Sequence, residues 1–172
     1  MQNIARRGVM NHAPTRGVEE VVSIADACLG GLRGRSALLV GPTEQRQPYA
    51  LLLQQAEMKY IYQEDTPLHV STILPHVQLL ISVPSASQVV PLLTAASIAK
   101  GCIGRRTPLL IFDLSPSTSS VEEFAGLLPA VCLYTPEDMR RILSGLLGQA
   151  QEIESISATL RAQLPTVSRD ER

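Results

Sequence analysis

The sequence predicts an α/β fold: a doubly wound, mainly parallel sheet of about five strands followed by a long C-terminal helix. Three observations carry this. Short runs that are almost entirely apolar recur along the chain, at Ser36–Val40, 79–83 and 109–114, and continuous apolarity marks strands covered on both faces. Segments with helical spacing lie between them, and strands alternating with helices build a parallel sheet. Finally, Thr135-Pro136-Glu137-Asp138 combines a hydroxyl cap, proline at the first helical position and carboxylates in the first turn. That is a strong helix start.

The elements follow in order. Residues 1–16 hold Arg6, Arg7, His12, Pro14 and Arg16 with little apolar periodicity, and read as a lead-in. From Gly17, the residues Val18, Val21, Val22, Ala25, Leu29 and Leu32 recur at helical spacing until Gly30, Gly31 and Gly34, which predicts about four turns of helix. Ser36–Val40 is the first strand and 44–58 the next helix, with Pro48 in its early turns. Residues 60–62 form a second strand. Between 63 and 77 there is room only for a turn and a short helix limited by Pro75. Thr94 caps a helix over 95–101. After Pro108 comes the fourth strand, Val131–Tyr134 is the fifth, and the last helix runs to Leu164, before Pro165. Residues 17–147 are expected to form the domain, with 148–172 a helical extension ending in a frayed tail.

Composition excludes several classes. With 172 residues, 45% of them hydrophobic, the chain supports one domain with a real core. A formal net charge of -1 gives no field that would draw nucleic acid or anionic lipid. No apolar run approaches membrane-spanning length, and the start lacks a signal-peptide core. Cys28, Cys102 and Cys132 are widely spaced and odd in number, as reduced cytoplasmic thiols are, and are expected as small core residues.

Two stretches carry a family resemblance. RRTPLLIFDLSPSTSSVEEFAGLLPAVCLYTPEDM places a strand, an FDLSP turn, an LY strand end and a capped helix in the order found in the nucleotide-binding domain of glutamyl-tRNA reductase. The earlier ARRGVMNHAPTRGVEEVVSIADACLGGLRGRSALLVG is similar to that family's linker, helix and first strand. The resemblance covers about residues 5 to 160 and implies a Rossmann-like domain in tetrapyrrole synthesis. It does not reach the domain that carries the family's catalytic cysteine, which none of the three cysteines matches. The resemblance therefore implies a chain that does not run the full reaction alone. The family also uses the equivalent of the last helix as a spine leading to a dimer. Here Ile142, Leu146, Ile153, Ile156 and Leu160 offer an incomplete apolar stripe for a homodimer or another protein partner.

The nucleotide determinants depart from the family pattern. Its turn after the first strand is GAGEMG; this chain has Gly41, Pro42, Thr43, Glu44, Gln45 and Arg46. Only the glycine of the tight turn remains, without those for pyrophosphate approach and helix-on-strand packing. Pro42 removes an amide donor, Thr43 brings a branched side chain to the phosphate path, and Glu44 adds negative charge. Arg46 can attract a phosphate but is expected to project to solvent. After the second strand, Glu64 and Asp65 replace the family's arginine, so a residual site prefers NAD(H) to NADP(H). They also suit a solvated acidic turn.

Further candidates lie at the other strand ends. Ser82, Ser85 and Ser87 follow the third strand and either bond a ligand or serve the turn. Asp113 ends the fourth strand facing the same crevice. Arg105 and Arg106 are read as solvated, and His69 and His76 as surface or capping residues. The reading is a degenerate Rossmann-like module without catalysis of its own, for binding or an accessory role. The alternatives are an NAD(P)-dependent oxidoreductase domain working with a separate catalytic partner, and a structural interaction protein.

Overall fold

The computed structural model describes residues 16–85, 92–116 and 118–163. Residues 1–15 of the expected lead-in over 1–16, Ser87, Ser117 and the tail from 164 lie outside the described residues, and Arg16 already opens α1. In chain order the elements are α1 (Arg16–Leu29), β1 (Ser36–Val40), α2 (Thr43–Gln55), β2 (Tyr60–Glu64), α3 (Val70–Ile73), β3 (Leu79–Ser82), α4 (Ala95–Gly101), β4 (Leu109–Asp113), β5 (Val131–Tyr134) and α5 (Pro136–Gln163). Short 3-10 turns cover Pro67–His69, Leu74–His76 and Glu123–Leu127.

All five strands pair in parallel, in the order β2-β1-β3-β4-β5. Every residue of β1, β3 and β4 is buried, whereas the edge strands β2 and β5 are partly exposed. The pleat sends alternate side chains to two cores. Ala37, Leu39, Leu79, Ile81, Leu110 and Phe112 meet Val21 and Ala25 of α1, Leu53 of α2 and Met139 of α5. Leu38, Val40, Leu80, Leu109 and Ile111 meet Val70 of α3, Leu74 of the following 3-10 turn and Ile98 of α4. Helices therefore cover both faces, as the sequence predicted. At about 1.5 to 3 kcal/mol for each fully buried Leu, Ile or Phe side chain, these two layers are the main stabilising term.

Local sequence sets the joints. Thr94 caps α4 by accepting the Ser97 amide at 3.2 Å. At the start of α5, Thr135 Oγ1 accepts the Asp138 amide at 3.2 Å while the Asp138 carboxylate takes the Thr135 amide at 3.0 Å. This reciprocal capping holds the Asp138 carboxyl below the usual range, first through the backbone bond and then the side-chain bond to Thr135. Helix α2 begins at Thr43 and ends at Gln55, three residues short of expectation, where Glu57 takes a left-handed φ of 60°. Pro48 consequently lies in its second turn and removes the amide that would reach the Glu44 carbonyl.

Two expectations about side chains fail. Cys28 and Cys132 are exposed, and only Cys102, half-buried, packs against the second core. Cys132 lies on edge strand β5, and Cys28 ends α1 beside the Tyr134 hydroxyl at 3.6 Å. Burial pushes the Cys102 and Cys132 thiols up, away from thiolate reactivity. Arg105 is not solvated either. Its guanidinium donates to the carbonyls of Leu74 at 2.8 Å and Thr107 at 2.7 Å, and also to that of Val77. It satisfies the end of the α3 segment.

Candidate functional site

Chain direction along the sheet reverses between β1 and β3, and open parallel sheets bind ligands outside the carboxyl ends of strands at such a point. A cavity of about 270 Å³ lies there, bordered by Gly41, Pro42, Asp65, Ser82 and Ser85 with Val40, Val83, Leu92 and Leu93. Five of the sequence-predicted site residues are thus brought together. Among the described residues that border it, Asp65 is the one that is charged, and its carboxylate is paired with Arg46.

Gly41 makes the turn. Its φ is +130°, its amide bonds the Glu64 carbonyl at 2.9 Å, and a Cβ here would lie 2.5 Å from Val83 Cγ2. Only glycine fits without displacing the exit of β3. Pro42 precedes α2, and its carbonyl accepts the amides of Gln45 and Arg46 at 3.1 Å. It contributes no donor to the cavity.

Arg46 corrects the expectation of a solvent-facing side chain. It is only 6% exposed, with Nη2 placed 2.9 Å from Asp65 Oδ1 and 2.8 Å from Thr43 Oγ1. Thr43 Oγ1 in turn lies 3.3 Å from the same carboxylate oxygen. Three residues that depart from the family pattern therefore bond to one another across the mouth of the turn. The cation that an incoming phosphate would seek is already neutralised, and the Asp65 carboxylate is shared with it. Arg46 Nε is buried without a partner, which costs about 1 to 3 kcal/mol.

The remaining candidates diverge. Glu44 is exposed. Glu64 ends β2, two residues beyond the strand end expected from sequence, and lies 3.6 Å from His69 Nδ1 rather than bordering the cavity. Ser82 Oγ is 2.6 Å from Ser120 Oγ in a buried pair. Asp113 is 1% exposed, and its carboxylate accepts five bonds: the amides of Ser115, Ser120 and Val121, and the hydroxyls of Ser115 and Ser120. It therefore organises the loop from 114 to 121 instead of presenting itself to the crevice. Leu93 pairs with Val121 beside that loop, and the Glu122 carboxylate takes the Ala95 amide at 2.9 Å. Sequence reasoning missed Ser115, Ser120 and Glu122; an aspartate followed by a serine-rich run is the available signal.

Between Asp65 and β3 there are only short turns and the four-residue α3, and β2 is the outer strand of the sheet. The segment after Asp65 is therefore short, as the sequence implied. Among the described residues, no three His, Cys, Asp or Glu side chains group to hold a metal ion, and no helix is long and apolar enough to cross a membrane.

The parallel sheet, the helices on both faces and the cavity at the switch point define a Rossmann-like domain. Solved structures agree at the level of fold. One component of the dipicolinate synthase from Bacillus halodurans superimposes with a TM-score of 0.54 at 12% identity, over 79% of this chain and 54% of that one. The bifunctional methylenetetrahydrofolate dehydrogenase/cyclohydrolase of Campylobacter jejuni gives a TM-score of 0.51 at 16% identity, over 79% and 50%. No family model matches the chain. In sequence it is similar to the glutamyl-tRNA reductase of Methanocella arvoryzae (strain DSM 22066 / NBRC 105507 / MRE50), with 25% identity over 167 residues. That match covers 88% of this chain but 39% of the relative, so the chain spans about two fifths of the relative's length.

Proposed function

We propose that this chain is a binding or accessory module built on a Rossmann-like domain of the glutamyl-tRNA reductase kind, without catalysis of its own, acting in or beside tetrapyrrole synthesis. One observation carries the reading: the Thr43–Arg46–Asp65 cluster ties up the cation and the acid at the turn where a dinucleotide would bind. Pro42 and Thr43 also replace the donor-rich backbone that a pyrophosphate needs. The sequence similarity to a glutamyl-tRNA reductase supports the link to that pathway.

Calorimetric titration with NAD, NADP and their reduced forms tests this. Absent or weak binding is expected, with NADH ahead of NADPH because the Arg46 guanidinium, already paired with Asp65, is not available to a 2'-phosphate. Tight binding of any dinucleotide overturns the reading. The persistence of a cavity bordered by Gly41 and Asp65 favours a second reading, an NAD(P)-dependent oxidoreductase domain completed by a separate catalytic partner. Hydride transfer on mixing with such a partner would select it.

A further inference from the structure

Helix α5 leaves the domain after two turns. Met139 is buried and Leu143 packs on the core, but from residue 144 onward the described side chains are exposed, Ser157 being half-buried. About 30 Å of helix therefore stands in water. Its apolar residues are not scattered. Ile142, Leu146, Ile153, Ile156 and Leu160, with Gln149 completing the series, alternate spacings of four and three residues and form one seam. Leu146, Ile153, Ile156 and Leu160 are 38 to 65% exposed. At about 100° per residue, the seam is turned roughly a quarter turn from Met139 and Leu143, which keeps it clear of the domain beyond the half-buried Ile142.

We propose that this seam pairs antiparallel with the same seam of a second copy of the chain, about a two-fold axis near Gln151. The spacing reads the same in both directions about that point. Ile142 of one copy then meets Leu160 of the other, Leu146 meets Ile156, and Gln149 meets Ile153. Four of the six layers join apolar to apolar, and in the other two the Gln149 stem covers Ile153 with its amide at the rim. A parallel pair would stack Gln149 on Gln149 in mid-seam and align the two macrodipoles, which the antiparallel pair opposes. Pairing over this length buries on the order of 1,200 Å², the lower edge of a specific interface. The dimer is therefore reversible and concentration-dependent. Glu152 flanks the seam next to the axis, where it faces its own counterpart and weakens association; in a parallel pair its neighbour would be Ser157.

Sedimentation across a concentration series, at low salt, is the first test. The full chain should pass from monomer to dimer, and Ile153→Glu, a change at an exposed site, should remain monomeric with an unchanged circular dichroism spectrum. Glu152→Gln should tighten the dimer about two- to threefold, the effect of removing one like-charge pair in water. Geometry is read by cross-linking in a background with the three native cysteines changed to serine. A mixture of Leu146→Cys and Ile156→Cys chains should form a disulfide under mild oxidation by copper phenanthroline, and Leu146→Cys alone should not. A chain that is monomeric at all concentrations, even one that captures a different protein, overturns the proposal. So does a dimer that survives Ile153→Glu, gains nothing from Glu152→Gln, or cross-links through Leu146→Cys alone.

Discussion

Replacing Asp113 by asparagine separates a loop organiser from a ligand-binding acid. In the folded chain Oδ2 accepts the amides of Ser120 at 2.8 Å and Val121 at 2.9 Å, while Oδ1 serves Ser115 and the Ser120 hydroxyl. Asparagine keeps one carbonyl oxygen. If it occupies the Oδ1 position, its NH2 group points at two backbone amides, so two charge-assisted bonds are lost and donors face donors. Each such bond contributes about 1.5 to 3 kcal/mol, and relief of the buried charge offsets part of the loss. A net destabilisation of about 2 to 4 kcal/mol is expected, equivalent to a fall in Tm on the order of 10 °C for a domain of this size. Thermal melting by circular dichroism measures it, and hydrogen exchange should report faster opening at Ser120 and Val121. A variant that melts within about 2 °C of the parent would refute the reasoning, since the measured cost would then be under about 1 kcal/mol.

Other outcomes follow from the same geometry. Gly41→Ala must push a Cβ into Val83 at a φ that L-residues avoid, so a loss of about 1 to 3 kcal/mol is expected in urea unfolding; an unchanged midpoint would mean that the turn relaxes freely. The double change of Thr43 and Arg46 to glycine clears the phosphate path and frees Asp65, and should raise dinucleotide affinity in calorimetry. No gain in a well-folded variant would place the loss in the shortened segment after Asp65. The Asp138 carboxyl is held below its ordinary value when folded, so its contribution is present above the unfolded pKa of about 3.9 and disappears as pH falls through the lower folded value. Comparing parent with Asp138→Asn by Tm at successive pH values should show a gap at neutral pH that closes on acidification.

The frame was legible because its signals are local and periodic. Ser36–Val40 and Val131–Tyr134 appear as read, Thr94 caps α4, and Thr135 with Asp138 opens α5. Strand ends were blurred by a residue or two. Val83 and Leu114 continue the apolar runs of β3 and β4, but ladder pairing stops at Ser82 and Asp113. The site was less legible, because charged side chains bond to partners distant in sequence. Nothing near Arg46 announces that Asp65 will arrive beside it, and nothing near Arg105 announces the carbonyls of Leu74 and Val77. A guanidinium looks solvated until the chain that brings its acceptors is folded. Asp113 differs: its partners follow within eight residues, and the serine-rich run could have identified them.

The strand order also dictates how the sheet is assembled. β1 joins β2 and β3, so the first three strands form a unit while β4 and β5 can only be added afterwards, one after the other, on the side of β3. During synthesis from the N-terminus, the buried Leu79–Ser82 segment therefore waits with an unpaired flank until residue 113 has emerged. An apolar flank of that kind is a template for misassociation between nascent chains. Slowing translation just after β3 should lower the soluble yield, whereas the same pause after β5 should leave it unchanged.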